Sequence, residues 1–308
     1  MIGCFGKIPA SSDFVSLHGA IEEACEFDSW LQTGLAALQH HDSWRTVFDR
    51  LPVCFFAYRA RSGNSLLGGL ISSKDASERR YPFFIFQAVK AKDAGALLNP
   101  FTLSELFSAR IKPLLHLAVQ GEAQGALFKQ IDALRPLQSQ DVALFRQVHE
   151  KFLWNFTLTN IGTALNGAHP EHATGTVLAR LQAAGQAAKQ GEPIATCLPL
   201  PAERGLKNPT ADLWVDWLSR LNASQQAPAV NILADDFMHP RLYSFGSRAS
   251  AGLYTALAQS SETKAGSALP DGFTASDLTD QTTRSIDPDR PLFNVIHHVV
   301  GALDVKPV

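Results

Sequence analysis

Val53-Cys54-Phe55-Phe56-Ala57-Tyr58 is the stretch whose reading decides the fold. Successive residues of a strand point to opposite faces, so Phe55 and Ala57 share one face and Cys54, Phe56 and Tyr58 the other. Both faces are apolar. A strand of that kind must be covered on both sides, as in a layered α/β domain. Two more segments of strand length follow, Leu66–Ile71 and Phe83–Val89, bounded by Pro, Gly or Ser. Arg61-Ser62-Gly63-Asn64-Ser65 reads as the hairpin loop between the first two. Gly68-Gly69 does not extend into a dinucleotide fingerprint and predicts close backbone packing or a bulge.

Upstream, Ile2–Gly6 reads as a short strand that breaks at the turn-rich Lys7–Asp13 and runs into Phe14-Val15. From about Ile21 to Leu38, Phe27, Trp30, Leu31, Leu35 and Leu38 recur at three- and four-residue steps, the spacing of one helical stripe. Trp44–Leu51 predicts a short second helix. Downstream of Pro100 the pattern is helical until Pro136, where we place a boundary. A helix through Val142–Leu153 and an Ala-rich one over Thr176–Ala188 come next. The second half then repeats the mixture, with strands at Ile194–Leu200, Val230–Leu233 and Leu242–Phe245. Between the first two of these strands a helix is expected to start with Asn208 as N-cap, Pro209 at its first position and Asp212 in its first turn. The expected organisation is a layered α/β unit over 1–135, a second mixed α/β region over 136–259, a Ser/Thr/Asp-rich loop over 260–291, and a C-terminal helix from Leu292 to Leu303 with a tail to 308.

Composition limits the function classes. In 308 residues, 45% are hydrophobic and 18% charged, enough for a sizeable core. Lys and Arg total 27 against 29 Asp and Glu, so there is no net field to draw in a phosphate backbone or an anionic lipid surface. No nucleic-acid partner and no membrane insertion are expected. The opening residues lack the pattern of a secretory signal. Cys4, Cys25, Cys54 and Cys197 are too scattered for a zinc knuckle and fit reduced, mostly buried thiols. A cytoplasmic address is the expectation.

Chemical motifs are weak. Ser247, in Phe245-Gly246-Ser247-Arg248, lacks the second glycine of a nucleophile elbow. Gly6-Lys7 has no glycine four or five residues earlier to form a phosphate-cradling loop. His169-Pro170-Glu171-His172 and Asp235-Asp236-Phe237-Met238-His239 hold metal-ligand residue types without a closed coordination set. No cofactor is implied. The alternative to a non-enzymatic protein is a metal-dependent hydrolase or phosphatase using Asp75 or the Asp235, Asp236 and His239 group.

Two stretches carry a resemblance. Gly3-Cys4-Phe5-Gly6-Lys7-Ile8-Pro9 with Asp13-Phe14, followed by the Trp30 helix, is similar to the opening of the TagF (ImpM) family. Ser73, Asp75, Arg79 and Pro82 fall in register with that family's Ser-Val-Asp, Gly-Arg and aromatic-Pro segment. The resemblance covers about residues 1–135. It departs at Ser12 and Glu78, where the family usually has glycine, so both loops are expected to bend differently here.

The resemblance implies a post-translational repressor of bacterial type VI secretion, not an enzyme. Such a repressor acts through the forkhead-associated scaffold protein of that system, alongside a threonine kinase and phosphatase. Forkhead-associated domains read phosphothreonine, and Thr274-Ala275-Ser276-Asp277 has the acidic residue three positions after the threonine. Lys7, Asp13, Ser73, Asp75 and Arg79 lie on or beside turns at strand ends. They are expected either to pin two loops together by ion pairs or to border a partner-binding face.

Overall fold

The computed structural model describes residues 1–91, 99–169, 174–189, 195–221, 230–246, 252–254, 256 and 286–303. Its frame is one eight-stranded sheet. The strands are β1 (Ile2–Gly6), β2 (Val15–Leu17), β3 (Cys54–Arg59), β4 (Ser65–Ile71), β5 (Phe83–Val89), β6 (Ala195–Pro199), β7 (Val230–Ala234) and β8 (Arg241–Phe245). They lie in the order β2-β1-β5-β4-β3-β7-β8-β6, and every pairing is antiparallel. The sheet does not stop at the midpoint of the chain, because Cys54 to Tyr58 of β3 pair with Ala234 to Val230 of β7.

The two apolar faces of β3 separate as the alternation predicts. Cys54, Phe56 and Tyr58 enter a core with Phe84 and Phe86 of β5 and with Phe27, Trp30, Leu31 and Leu35 of α1 (Glu22–Leu38). There the Phe27 ring stacks 4.3 Å from Phe56. Phe55, Phe83 and Ile85 enter the opposite core with Ile111, Leu114 and Leu115. That second face is covered by α3 (Pro100–Leu103), α4 (Glu105–Val119) and α5 (Gln124–Asp132), and by the helices of the second half. α2 (Trp44–Asp49) sends Phe48 to the α1 side. The molecule is therefore mixed α/β, with an antiparallel sheet between helices. Gly68 sits where an added Cβ would lie 2.2 Å from the Ile85 carbonyl oxygen, so the close packing expected of the glycine pair is real.

The second half adds α6 (Ser139–Asn155), α7 (Leu158–Ala168), α8 (Thr174–Lys189), α9 (Arg204–Leu221) and α10 (Leu292–Leu303). α9 corrects the expected start at Pro209. Its first turn forms at Glu203, whose carbonyl accepts from both Leu206 and Lys207 N–H, so Pro209 lies inside the helix. A proline there displaces the carbonyl four residues back. That residue, Gly205, is exposed and can give its carbonyl to water. Asp212 is not a first-turn residue either: it is buried and caps another helix, accepting from Phe101 N–H and Thr102 N–H at 2.8 Å each. β2 and α7 are elements that the sequence reading does not name.

The cysteines are free, and Cys4, Cys54 and Cys197 are buried while Cys25 is exposed. Burial pushes the Cys4 thiol up to about 12. Among the described residues, no helix is long and apolar enough to cross a membrane. Ser247, Glu171, His172, Thr274 and most of 260–291 lie outside the described residues.

The register also places the loops. Gly6, Val15, Ile71, Phe83, Cys54, Ala234, Arg241 and Pro199 all stand at one end of the sheet. The loops 7–14, 72–82 and 235–240 therefore emerge side by side.

Candidate functional site

Loops 7–14 and 72–82 meet over a single buried carboxylate. Asp75 is closed to solvent, and its Oδ2 receives Lys7 Nζ at 2.9 Å and Arg79 Nε at 2.7 Å. Its Oδ1 receives the N–H groups of Ser77 at 2.9 Å and Arg79 at 3.0 Å. Burial works against the charged form, but these donors outweigh it and hold the Asp75 carboxyl well below the usual carboxylate range. The backbone repeats the tie, with Ala76 N–H on Ser11 O at 2.8 Å and Arg79 Nη2 on Ser12 O at 2.6 Å. Lys7, Asp75 and Arg79 are thus brought together.

Asp13 is not part of that network. It is exposed, its Oδ1 accepts from the N–H of Phe14 at 2.8 Å, and it forms no ion pair with the described residues. Ser73 is buried beside the network, its carbonyl accepting from Tyr81 N–H at 3.0 Å while its hydroxyl has no partner among the described residues. The two departures from glycine resolve differently. Glu78 takes φ +63°, the left-handed conformation that glycine adopts without steric cost, so a side chain at 78 does not abolish that bend. Ser12 takes no such conformation.

Sequence reasoning passed over the aromatic part of this surface. Phe14 is 42% exposed and stands on Phe5 at 5.3 Å, on the edge of Tyr81 at 5.1 Å, and under Lys7 Nζ at 4.9 Å from the ring centre. Tyr81 is fixed in turn by donating its hydroxyl to Asp28 Oδ1 of α1. Beside them Arg80 forks onto Asp49, with Nε and Nη2 at 2.8 and 2.7 Å from the two oxygens. The signal was the placement of Phe14 in a turn, where a large apolar side chain has no strand or helix face to bury it. A small cleft lined by Pro9, Asp49, Ser72, Ser73, Lys74 and Val119 lies next to the network.

The Asp235, Asp236 and His239 group serves the loop that carries it. The two oxygens of Asp235 receive Lys112 Nζ and Lys207 Nζ. Burial opposes its charge and the two ammonium groups outweigh it, lowering the carboxyl. Asp236 Oδ1 accepts from Met238 N–H and His239 N–H, and His239 Nδ1 lies 2.7 Å from Ala168 O. Among the described residues no three His, Cys, Asp or Glu are grouped to hold a metal ion.

Short loops locked by a buried carboxylate and presenting an arginine and a phenylalanine define a scaffold with a loop-borne surface. Residues 3–134, the segment that holds both loops, match the family model of the TagF N-terminal domain, type VI secretion system-associated. The family resemblance read from the two motifs is thereby borne out, over nearly the same residues, and the chain carries a type VI secretion-associated domain. No curated protein matches the chain. Among solved structures, PA0076 from Pseudomonas aeruginosa PAO1 matches at 21% identity over 45% of this chain and 64% of that one, with a TM-score of 0.38. The match thus spans less than two thirds of that protein's length.

Proposed function

We propose that the chain is a cytoplasmic, non-enzymatic repressor of type VI secretion that acts after translation by binding the forkhead-associated scaffold protein of that system. The family match supplies the secretion context. The observation that carries the binding reading is the state of Asp75: both of its oxygens are consumed by donors from this protein, and it is closed to solvent. Its charge is spent on positioning loops. Those loops expose the Phe14 ring and the outer part of the Arg79 side chain, 58% exposed while its Nε and Nη2 stay on Asp75 and Ser12. Arginine and large aromatic residues dominate interface hot spots. Holding them on pinned loops lowers the ordering cost of association.

The test is titration calorimetry of the purified full chain against the purified scaffold. Saturable binding is expected, and the double variant Phe14→Ala, Arg79→Ala should remain folded and lose it. A chain that ignores the scaffold and turns over an ester or phosphate substrate would sink the reading. Thr274 is the candidate phosphothreonine for such docking. Scaffold binding that is unchanged in Thr274→Ala removes that contribution alone.

A further inference from the structure

The loop between β7 and β8 is built unlike a solvated turn. Asp235 N–H donates to Val53 O at 2.9 Å, and its carboxylate is gripped by Lys112 and Lys207. Asp236 closes the turn by accepting from the N–H groups of Met238 and His239 at 2.8 and 3.0 Å. Pro240 O accepts from Leu200 N–H at 3.0 Å. The carboxylates of Asp235 and Asp236 are tied inward, and the tip that faces water is Phe237, 89% exposed, and Met238, 57% exposed, with His239 exposed beside them. An apolar pair exposed on a loop tip gains nothing from water, and the tied backbone beneath it lowers the ordering cost of an interface.

Its position ties it to the loops already described. Lys112 of α4 reaches Asp235, and Val119 of the same helix lines the cleft that contains Lys74. Seven residues of helix rise about 10 Å, so the apolar tip and loop 72–82 lie close enough for one interface. A two-residue tip is far smaller than the roughly 800 Å² a stable interface covers on each partner. The neighbouring loops supply the remainder.

We propose that Phe237 and Met238 are the apolar anchor of a binding face that runs from loop 72–82 across α4 into the second half of the chain, its occupant being a folded protein with an apolar pocket beside acceptors for Arg79. This rests on the reading of the chain as a scaffold-binding protein and places part of its contact outside residues 3–134. The charges choose the occupant. The cations of the face are held in ion pairs, and Asp13 and Asp236 add further carboxylates, so no excess of positive charge draws in nucleic acid or anionic lipid.

Calorimetry with the purified forkhead-associated scaffold tests it on the full chain. Phe237→Ala, Met238→Ala should melt as the wild type does and bind at least about tenfold more weakly, as anchor residues do. Leu144→Ala, an exposed apolar change on α6, should leave affinity unaltered. Wild-type affinity in the tip variant, or an equal loss in Leu144→Ala, overturns the anchor and leaves scaffold binding standing. No binding by the wild type removes both proposals. Self-association in sedimentation that the tip variant abolishes, with scaffold affinity unchanged, assigns the tip to a second copy and also overturns the anchor.

Discussion

Lys7 and Asp75, 68 positions apart in the chain, meet at 2.9 Å with the carboxylate closed to solvent. The pair closes a loop at the end of β1 onto the loop between β4 and β5, and Arg79 completes it from outside. Because every donor around Asp75 carries a hydrogen, a neutral amide there must turn an N–H toward at least one of them.

Asp75→Asn should therefore lower the melting temperature by several degrees while keeping the volume of the side chain. The pH dependence has a definite sign. A carboxyl held below its ordinary value of 3.8 contributes stability that is fully present above that value and is lost as the pH falls below it. The gap between wild type and Asp75→Asn should stay constant from about pH 5 to 8 and close below about pH 4, read by denaturant titration at each pH. A gap that widens on acidification contradicts the network.

Two buried groups in the second half should pull the stability profile in opposite directions. Burial, opposed by the hydrogen bonds from residues 101 and 102 and reinforced by Asp216, pushes the Asp212 carboxyl up to about 7 from 3.8. Its contribution is fully present below 3.8 and is lost as the pH rises to 7, a change of roughly 4 kcal/mol at about 1.4 kcal/mol per pH unit. Burial, opposed by Asp216 and aided by Arg220, lowers His149 to about 4 from 6.5, and neither ring nitrogen has a hydrogen-bond partner among the described residues. Its contribution is present above 6.5 and is lost as the pH falls toward 4. In wild type the two contributions therefore oppose each other between those limits. His149→Phe should expose the loss toward alkaline pH, and Asp212→Asn the loss toward acid. Parallel profiles for the two variants would show that these groups do not titrate as their surroundings require.

Legibility followed the range of the interaction. The double-faced apolar strand at Val53–Tyr58 and the stripe of α1 are local patterns, and they fixed both the sheet and its two covers. β2 is three residues long with only Val15 buried, too short for an alternation. α7 did carry a signal, since Leu158, Ile161 and Leu165 share one face and Thr157 caps Asn160 N–H. Asn160 replaces the Glu or Gln usual in such a cap. The pairing of β3 with β7 has no local signature. At the site, Lys7, Asp75 and Arg79 were legible because opposite charges on turns at one sheet end attract. Asp13 stands apart from that network because position on a turn does not give direction. Phe14 and Phe237 were missed as surface residues because hydrophobic type argues for burial.

Gly68→Ala should be among the most damaging small changes in the first half. The new Cβ would lie 2.2 Å from Ile85 O and 2.7 Å from Phe56 Cζ. The first of these is backbone of the neighbouring strand, so relief requires β4 and β5 to separate. Overpacking of a core costs about 1–3 kcal/mol when side chains can yield, and here the backbone must, so a loss of at least about 3 kcal/mol is expected. A soluble variant with wild-type denaturation midpoint would refute the close approach.

Glu78→Gly should stabilise the protein. At φ +63° an L side chain crowds its own backbone, a cost of about 1–2 kcal/mol that glycine avoids. Two terms oppose the gain. Glycine has more freedom to lose on folding, about 0.5–1 kcal/mol, and the Lys74 to Glu78 ion pair at 2.6 Å is lost. That pair is exposed on both sides and contributes a few tenths of a kcal/mol at most. The left-handed backbone decides the sign, leaving a net gain of up to about 1 kcal/mol. Glu78→Ala is the informative companion, because it also removes the ion pair but keeps the Cβ at positive φ. Glycine above wild type and alanine at or below it is the expected order of denaturation midpoints. An equal fall of both variants below wild type would mean that loop 72–82 is held by the Lys74 pair and not by the bend.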